Sequence, residues 1–393
     1  MTFFSAPAMH SPERRYVASL TGLRGLAAFA VFLYHFGALN PGIRLDLRFP
    51  LIGEVLQFPL SFGFAGVDVF FVLSGFLLTL PFARAALAGA AQPPLRRYVE
   101  RRLLRVFPAY YAQLAIILAL GSWFLAWKPQ TVWSLTAHLF MFFNIGWRPV
   151  QPMVGIWWTL PVELGFYLLL PFLRPFLSPA RWLPTLLAGV LLSMLYRYWA
   201  ATHFGPAGGA MIFLAASQLP GSLTEFLMGS TAALLAQFMA LRQRPAPAAW
   251  CADLMFVLGI LLALGWLDRV VMTAADLYWL GHWSMIVAPL ALGLPLALTT
   301  LALYWGSRIG RLLLANRLVY FLGLISYSLY LWHFVVLQQL PLLLGDTYQH
   351  MGYGLRFPLA AAAVICTAAV SYYVFERPFY RLKADGRAAS APR

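Results

Sequence analysis

Ten stretches of 17 to 30 predominantly apolar residues run almost end to end through this chain. They lie at 17–36, 62–83, 108–127, 157–173, 182–200, 211–240, 250–267, 284–305, 318–343 and 357–375. About 20 such residues in a helix cross the ~30 Å hydrocarbon core of a bilayer. Continuous runs of this length exclude a membrane β-barrel, whose strands are ~10-residue segments of alternating character. The 393 residues are 61% hydrophobic and 10% charged, whereas ordinary soluble domains are about 25% charged. The expected fold is therefore all-α: a polytopic transmembrane helical bundle of about ten spans. Residues 1–383 read as one membrane domain, and 384–393 as a flexible cytoplasmic tail. The Ala/Pro-rich stretch 85–95 also reads as a flexible segment.

The first run carries Arg24 and His35, which makes it a retained span rather than a cleavable signal peptide. The stretch 132–146 is apolar but short, and counting it as a span would invert everything after it. Basic residues decide the matter through their cytoplasmic bias. With 132–146 not crossing and both termini cytoplasmic, Arg44, Arg48, Lys128, Arg148, Arg269 and Arg356 lie outside, Arg24 and Arg197 lie within spans, and the other 20 of the 28 Lys and Arg lie inside. The alternative divides them 11 inside to 15 outside. Segment 128–156 is then an external or re-entrant element. The formal net charge of +15 records topology and contact with lipid headgroups, and gives no reason to expect nucleic acid. Cys251 and Cys366 lack metal-type spacing, and no metal site is expected.

Ionisable side chains inside spans are expensive and mark sites. They are Arg24, His35, Asp68, Glu163, Glu225 and His333, with Arg197 near a span end. Arg24 and His35 are eleven residues apart, on one helix face and ~16 Å apart along the axis. Asp68 and Glu163 each count to roughly 9 Å below the outer ends of their helices, within reach of His35. A carboxylate bonded to one imidazole nitrogen would leave the other as a general base for a hydroxyl. Buried structural pairing is the competing reading for each of these residues. Tyr327, Tyr330 and His333 share a helix face, which either lines a cavity or packs a polar core. Arg84 to Arg105 reads as a basic cytoplasmic loop whose Arg101, Arg102 and Arg105 have the chemistry to bind phosphates.

Seven motifs in order carry a resemblance to a known family. They are Leu20-Thr-Gly-Leu-Arg24 continuing to Tyr34-His35; Gly66-Val-Asp68 through Ser74-Gly75-Phe76; Arg101-Arg102-Leu-Leu-Arg105 with Pro108-Ala-Tyr110-Tyr111; and Trp158-Thr-Leu-Pro-Val-Glu163. Glu225-Phe226-Leu-Met-Gly229, Ser326-Tyr327-Ser328-Leu-Tyr330-Leu-Trp332-His333 and Phe375-Glu376-Arg377-Pro378 follow. Together they resemble the acyltransferase-3 group of membrane O-acyltransferases, with Thr159 where many members carry serine. The resemblance implies a bacterial inner-membrane enzyme that moves an acyl group, commonly acetyl, from cytoplasmic acyl-CoA to a hydroxyl of a glycan or related acceptor. No cofactor is implied, since acyl-CoA is the donor substrate. In that reading His35 is the base, oriented by Asp68 or Glu163, and Arg24 stabilises charge. Arg102 and Arg105, with Arg101, hold CoA phosphates. Ser74, Glu225, Tyr327, Tyr330, His333 and Glu376 are supporting residues, Ser74 being a conceivable acyl carrier. The external loops, especially 37–61 and 128–156, are expected to shape the acceptor site, and they carry no sugar motif beyond aromatics such as Trp133, Trp147 and Trp157. A transporter or flippase with proton-relay residues fits the composition equally but leaves the Arg-x-x-Arg unexplained, and a non-catalytic scaffold leaves the intramembrane charges without a role.

Overall fold

The computed structural model describes residues 12–40, 47–48, 55–56, 62–120, 131–146, 149–204, 208–244, 246–278 and 280–379. The expected tail 384–393, most of the loop 37–61, and Arg44, Lys128, Trp147, Arg148 and Lys383 lie outside the described residues.

The described chain is a helical bundle. In order, its helices are α1 (Pro12–Leu39), α2 (Gly66–Leu87), α3 (Leu95–Ala119), α4 (Val132–Leu139), α5 (Thr159–Leu173), α6 (Pro179–Phe204), α7 (Gly209–Ala216) and α8 (Leu219–Leu241). They continue as α9 (Ala249–Tyr278), α10 (Trp283–Tyr304), α11 (Arg308–Leu314), α12 (Arg317–Leu324), α13 (Ser326–Leu344), α14 (Asp346–His350) and α15 (Tyr353–Ser371). The one pairing of extended segments among the described residues joins Leu47–Arg48 to Val55–Leu56. Nine of the described helical segments are long and apolar enough to cross a membrane. The protein is an integral, multi-pass membrane protein. At 26 residues, α6 has the length for a tenth crossing, and its Leu183, Leu187, Leu191 and Leu195 form an exposed stripe at four-residue spacing. Such a stripe suits lipid, which leaves no reason to hide leucine.

Three expected boundaries differ. Helix α3 begins at Leu95, not near 108, so Arg96 to Arg105 form its first turns rather than a loop. Pro94 stands in extended conformation just before it, and no helix breaker follows until Pro108. The run 211–240 divides into α7 and α8 around Ser217 and Gln218, with Pro220 in the first turn of α8. The run 318–343 divides into α12 and α13 at Ile325. By contrast, α4 has eight residues, about 12 Å of helix, too short to cross. His138 within it, and Met141 and Phe143 beyond it, are fully buried by other protein.

Helices α2 and α8 cross at the centre of the bundle, and two glycines set their separation. A Cβ on Gly75 would lie 2.0 Å from the Phe226 carbonyl oxygen, and one on Gly229 would lie 2.0 Å from that of Val72. No other residue type fits either place. Phe71 stacks on Phe226 at 4.7 Å beside this crossing, and Phe226 on Phe166 of α5 at 4.3 Å. On one flank α1 packs against α12 and α13; on the other, α10 packs against α8 and α9.

Candidate active site

Two cavities lie at different levels along α1 and α2. The first is lined by Arg24, Ser74, Arg102, Arg105, Glu163, Tyr167 and Tyr327 among others. The second, the roomier of the two, is lined by His35, Asp68, Trp158, Arg197, Glu225 and Tyr278 among others. Val67, Phe71 and Tyr330 line both, so one layer of side chains separates them.

Helical spacing accounts for much of the first cavity. Arg102 lies four residues after Tyr98 on α3 and sits 5.9 Å from the ring centres of Tyr98 and of Tyr167 on α5. Its buried Nε has no hydrogen-bond partner among the described residues. A buried donor in that state suits an anionic ligand, because leaving it unmet costs free energy. Glu163 accepts the Ser74 hydroxyl at 2.9 Å and also the Tyr167 hydroxyl, one turn along its own helix. Leu73, Leu77, Leu78, Leu160 and Val106 make the remaining wall apolar. The arrangement offers guanidinium groups for anions beside a greasy channel.

In the second cavity Asp68 of α2 and Glu225 of α8 face one another, with the Arg197 guanidinium nearby. Arg197 is tied down, donating from Nε to the Gly221 carbonyl at 2.7 Å and from Nη1 to the Met285 carbonyl at 2.9 Å, and it also bonds the Tyr278 hydroxyl. Glu225 Oε2 is buried and has no partner among the described residues. The aromatic walls are Tyr34, Phe64, Trp158, Phe213 and Phe334. Carboxyl, guanidinium and aromatic surfaces around an open space suit a polyhydroxylated ligand.

His35 stands at this cavity but not against a carboxylate. Its Nδ1 lies 2.9 Å from the Val31 carbonyl oxygen and 3.2 Å from His333 Nε2. Asp68 is engaged with Glu225 in the same cavity, and Glu163 lies in the other one. The expectation that both carboxylates sit level with His35 therefore fails for Glu163. The chain has already entered the bundle before α5 starts: Ile156 and Trp157 are buried, and the turn Gly155–Trp158 carries Thr159 down to the first cavity. Arg24 and His35, on one face of α1, serve different cavities for the same reason that they are ~16 Å apart.

The face of Tyr327, Tyr330 and His333 spans both levels. Tyr327 donates to the Val106 carbonyl at 2.9 Å; Tyr330 donates to the Ile156 carbonyl at 2.7 Å and accepts from Thr159 at 2.9 Å. Arg101 and Glu376 line neither cavity. Glu376 is buried at a π-helical turn, Tyr372–Glu376, where it accepts from Ser328 at 2.5 Å. Trp157, expected near the acceptor, is fully buried and donates to Gln113 at 2.9 Å; its neighbour Trp158 faces the second cavity. Sequence reasoning left Tyr98 and Tyr167 out of the site, though each is four residues from a residue it includes. Arg197 and Tyr278 are on different helices from Asp68, and no spacing rule reaches them.

A family model described as "Acyltransferase domain" matches residues 17–376. Among curated relatives, an O-acetyltransferase OatA of Staphylococcus aureus is 24% identical over 355 residues, covering 84% of this chain and 51% of that protein. A peptidoglycan O-acetyltransferase OatA of Listeria monocytogenes is 29% identical over 215 residues, 49% of this chain and 30% of that protein. Nodulation protein 10 of Rhizobium leguminosarum bv. viciae is 29% identical over 207 residues, 48% and 53% of the respective chains. The chain spans about half the length of the Staphylococcus aureus relative. No solved structure matches.

Proposed function

Since the chain belongs to the membrane acyltransferase-3 family, whose model covers residues 17–376, we propose that it is an O-acyltransferase moving an acyl group, by preference acetyl, from acyl-CoA to a hydroxyl of a glycan. The observation that carries this reading is the pair of cavities with a common wall. One offers Arg102, Arg105 and an apolar channel; the other offers His35 beside carboxyl and aromatic groups. The name of the Staphylococcus relative supports O-acetyl transfer, and that of the Listeria relative, a peptidoglycan O-acetyltransferase, supports a glycan acceptor.

In this scheme Arg102 and Arg105 grip the donor's phosphates, and the thioester lies along Leu73, Leu77 and Leu78 and meets the acceptor where the side chains of Val67, Phe71 and Tyr330 part. The acceptor sugar occupies the second cavity, its ring on aromatic faces and its hydroxyls on Asp68 and Glu225. His35 takes the proton of the attacking hydroxyl as its oxygen bonds to the thioester carbonyl carbon. The C–S bond breaks, and the departing CoA thiolate receives the proton. Arg24 contributes positive charge on the donor side. The basic residues at the start of α3 set that end of the bundle in the cytoplasm, consistent with the positive-inside rule.

The test incubates purified protein in lipid with labelled acetyl-CoA and extracted cell-envelope glycans, comparing it with the His35→Ala variant. Label should move to glycan with the unmodified protein and fall at least a hundredfold in the variant. Transfer unaffected by the substitution would overturn the role of His35, and absence of any transfer or CoA binding would overturn the donor assignment.

A further inference from the structure

An imidazole acts as a base only through a nitrogen that carries no proton, and the groups around the other nitrogen decide which one that is. His333 of α13 is fully buried and lines neither cavity. Its Nδ1 lies 2.7 Å from the Tyr330 carbonyl oxygen and 3.2 Å from that of Leu329. Carbonyls only accept, so Nδ1 holds the proton. In the neutral ring Nε2 is then a bare lone pair. That lone pair points at His35 Nδ1, 3.2 Å away, and the Val31 carbonyl oxygen lies 2.9 Å from the same atom. His35 Nδ1 faces two acceptors, so it carries the proton, and His35 Nε2 is left free.

We infer that His333 is a positioning residue: as a neutral acceptor it fixes the tautomer and orientation of His35, leaving Nε2 as the base, in the place where a carboxylate would be expected. This rests on the reading of His35 as the base. Tyr34 and Phe334 complete the clamp, each edge-on to the His35 ring with centroids 5.1 Å away. Their edges restrict tilting, while His333 and Val31 set which way the ring is turned. When His35 accepts the hydroxyl proton, its charge spreads to Nδ1–H, and the His333 lone pair meets it there. Until then the pair holds no formal charge. A carboxylate in that position would bring a full charge into a dry bundle at rest.

The chemistry distinguishes two substitutions. Glutamine at 333 places an amide oxygen near the position of Nε2 and keeps an acceptor; leucine fills similar space and offers none. With the full chain in lipid, His333→Leu should lower kcat at least a hundredfold with KM for acetyl-CoA and for glycan within threefold. His333→Gln should stay within tenfold of the unmodified protein. In the His35→Ala background, His333→Leu should have no further effect, because groups acting as one unit are not additive. Nitrogen-15 NMR of histidine-labelled protein should show His35 protonated at Nδ1 and bare at Nε2.

Equal losses in the leucine and glutamine variants would overturn the inference, as would an undiminished rate in His333→Leu. The same holds for a further loss in the His35→Ala background, or for a His35 protonated at Nε2. Should His333→Leu not fold, the glutamine variant and the NMR signature still decide. If His35→Ala alone keeps the full rate, the reading of His35 as base has failed, while the NMR result still reports whether His333 sets the tautomer.

Discussion

Asp68 and Glu225 come together across the crossing of α2 and α8, beside the Arg197 guanidinium. Both carboxyl groups line the second cavity. Both come from motifs that are far apart in sequence, and they meet between the central helices at the level of His35.

Asp68→Asn should be well tolerated, because the amide keeps the size and polarity of the carboxyl and has an N–H to donate to Glu225. Asp68→Ala should cost about 1–3 kcal/mol, the usual penalty for leaving a buried polar group unmet. Thermal unfolding in detergent checks the contrast. Equal midpoints for the two variants would mean that the pair contributes nothing to stability.

Gly75→Ala and Gly229→Ala should each destabilise the bundle by at least ~1–3 kcal/mol, the range for overpacking, since the new Cβ would lie 2.0 Å from a backbone oxygen. Gly265→Ala is the control: nothing lies within 4 Å of its Cβ position on α9. That change should stabilise by up to about 1 kcal/mol through helix propensity. Unfolding midpoints of opposite sign are the expected reading.

Arg102→Ala combined with Arg105→Ala should raise KM for acetyl-CoA at least tenfold and leave KM for the glycan within twofold. Arg102→Lys should restore little, because an ammonium lacks the planar fork that grips phosphate with two parallel bonds. Steady-state kinetics with each substrate varied in turn separates these effects. A change confined to the glycan would move the donor to the other cavity.

His138, in the short element outside the spans, should make its surroundings sensitive to acid. Burial pushes its pKa below the usual 6.5, against a smaller upward effect of its bond to the Ser134 carbonyl. Nδ1 lies 2.7 Å from that carbonyl, and Nε2 accepts the Met153 N–H at 2.9 Å, a bond the protonated ring cannot accept. Between the folded and unfolded pKa values the unfolded chain binds more protons, so stability rises with pH there. The contribution is present above about pH 6.5 and is lost as pH falls. Hydrogen exchange across residues 131–158 should quicken from pH 7.5 to 5 beyond the intrinsic pH effect, and His138→Gln should remove most of that excess.

The helices were legible because an apolar run of 20 residues admits few other outcomes. Their ends were less so. The Arg-rich start of α3 read as a loop because charge suggests solvent, although nothing between Leu95 and Phe107 breaks a helix. The break at Ser217–Gln218 was signalled by Pro220, whereas the one at Ile325 has no Pro near it, only Gly323 two residues before. Within the site, periodicity placed residues sharing a helix, such as Tyr327, Tyr330 and His333. It could not choose partners between helices. Charge attraction made a carboxylate the natural companion for His35, and the packing of α13 on α1 supplied a second imidazole instead.

The wall of Val67, Phe71 and Tyr330 is one side chain thick, with a hollow on either face. In a bilayer that makes these three residues an insulator. Each trimming that eases the passage of a larger group between the hollows also thins the seal against water and ions, so tolerance for bulky donors and electrical tightness of the membrane trade against each other at this wall.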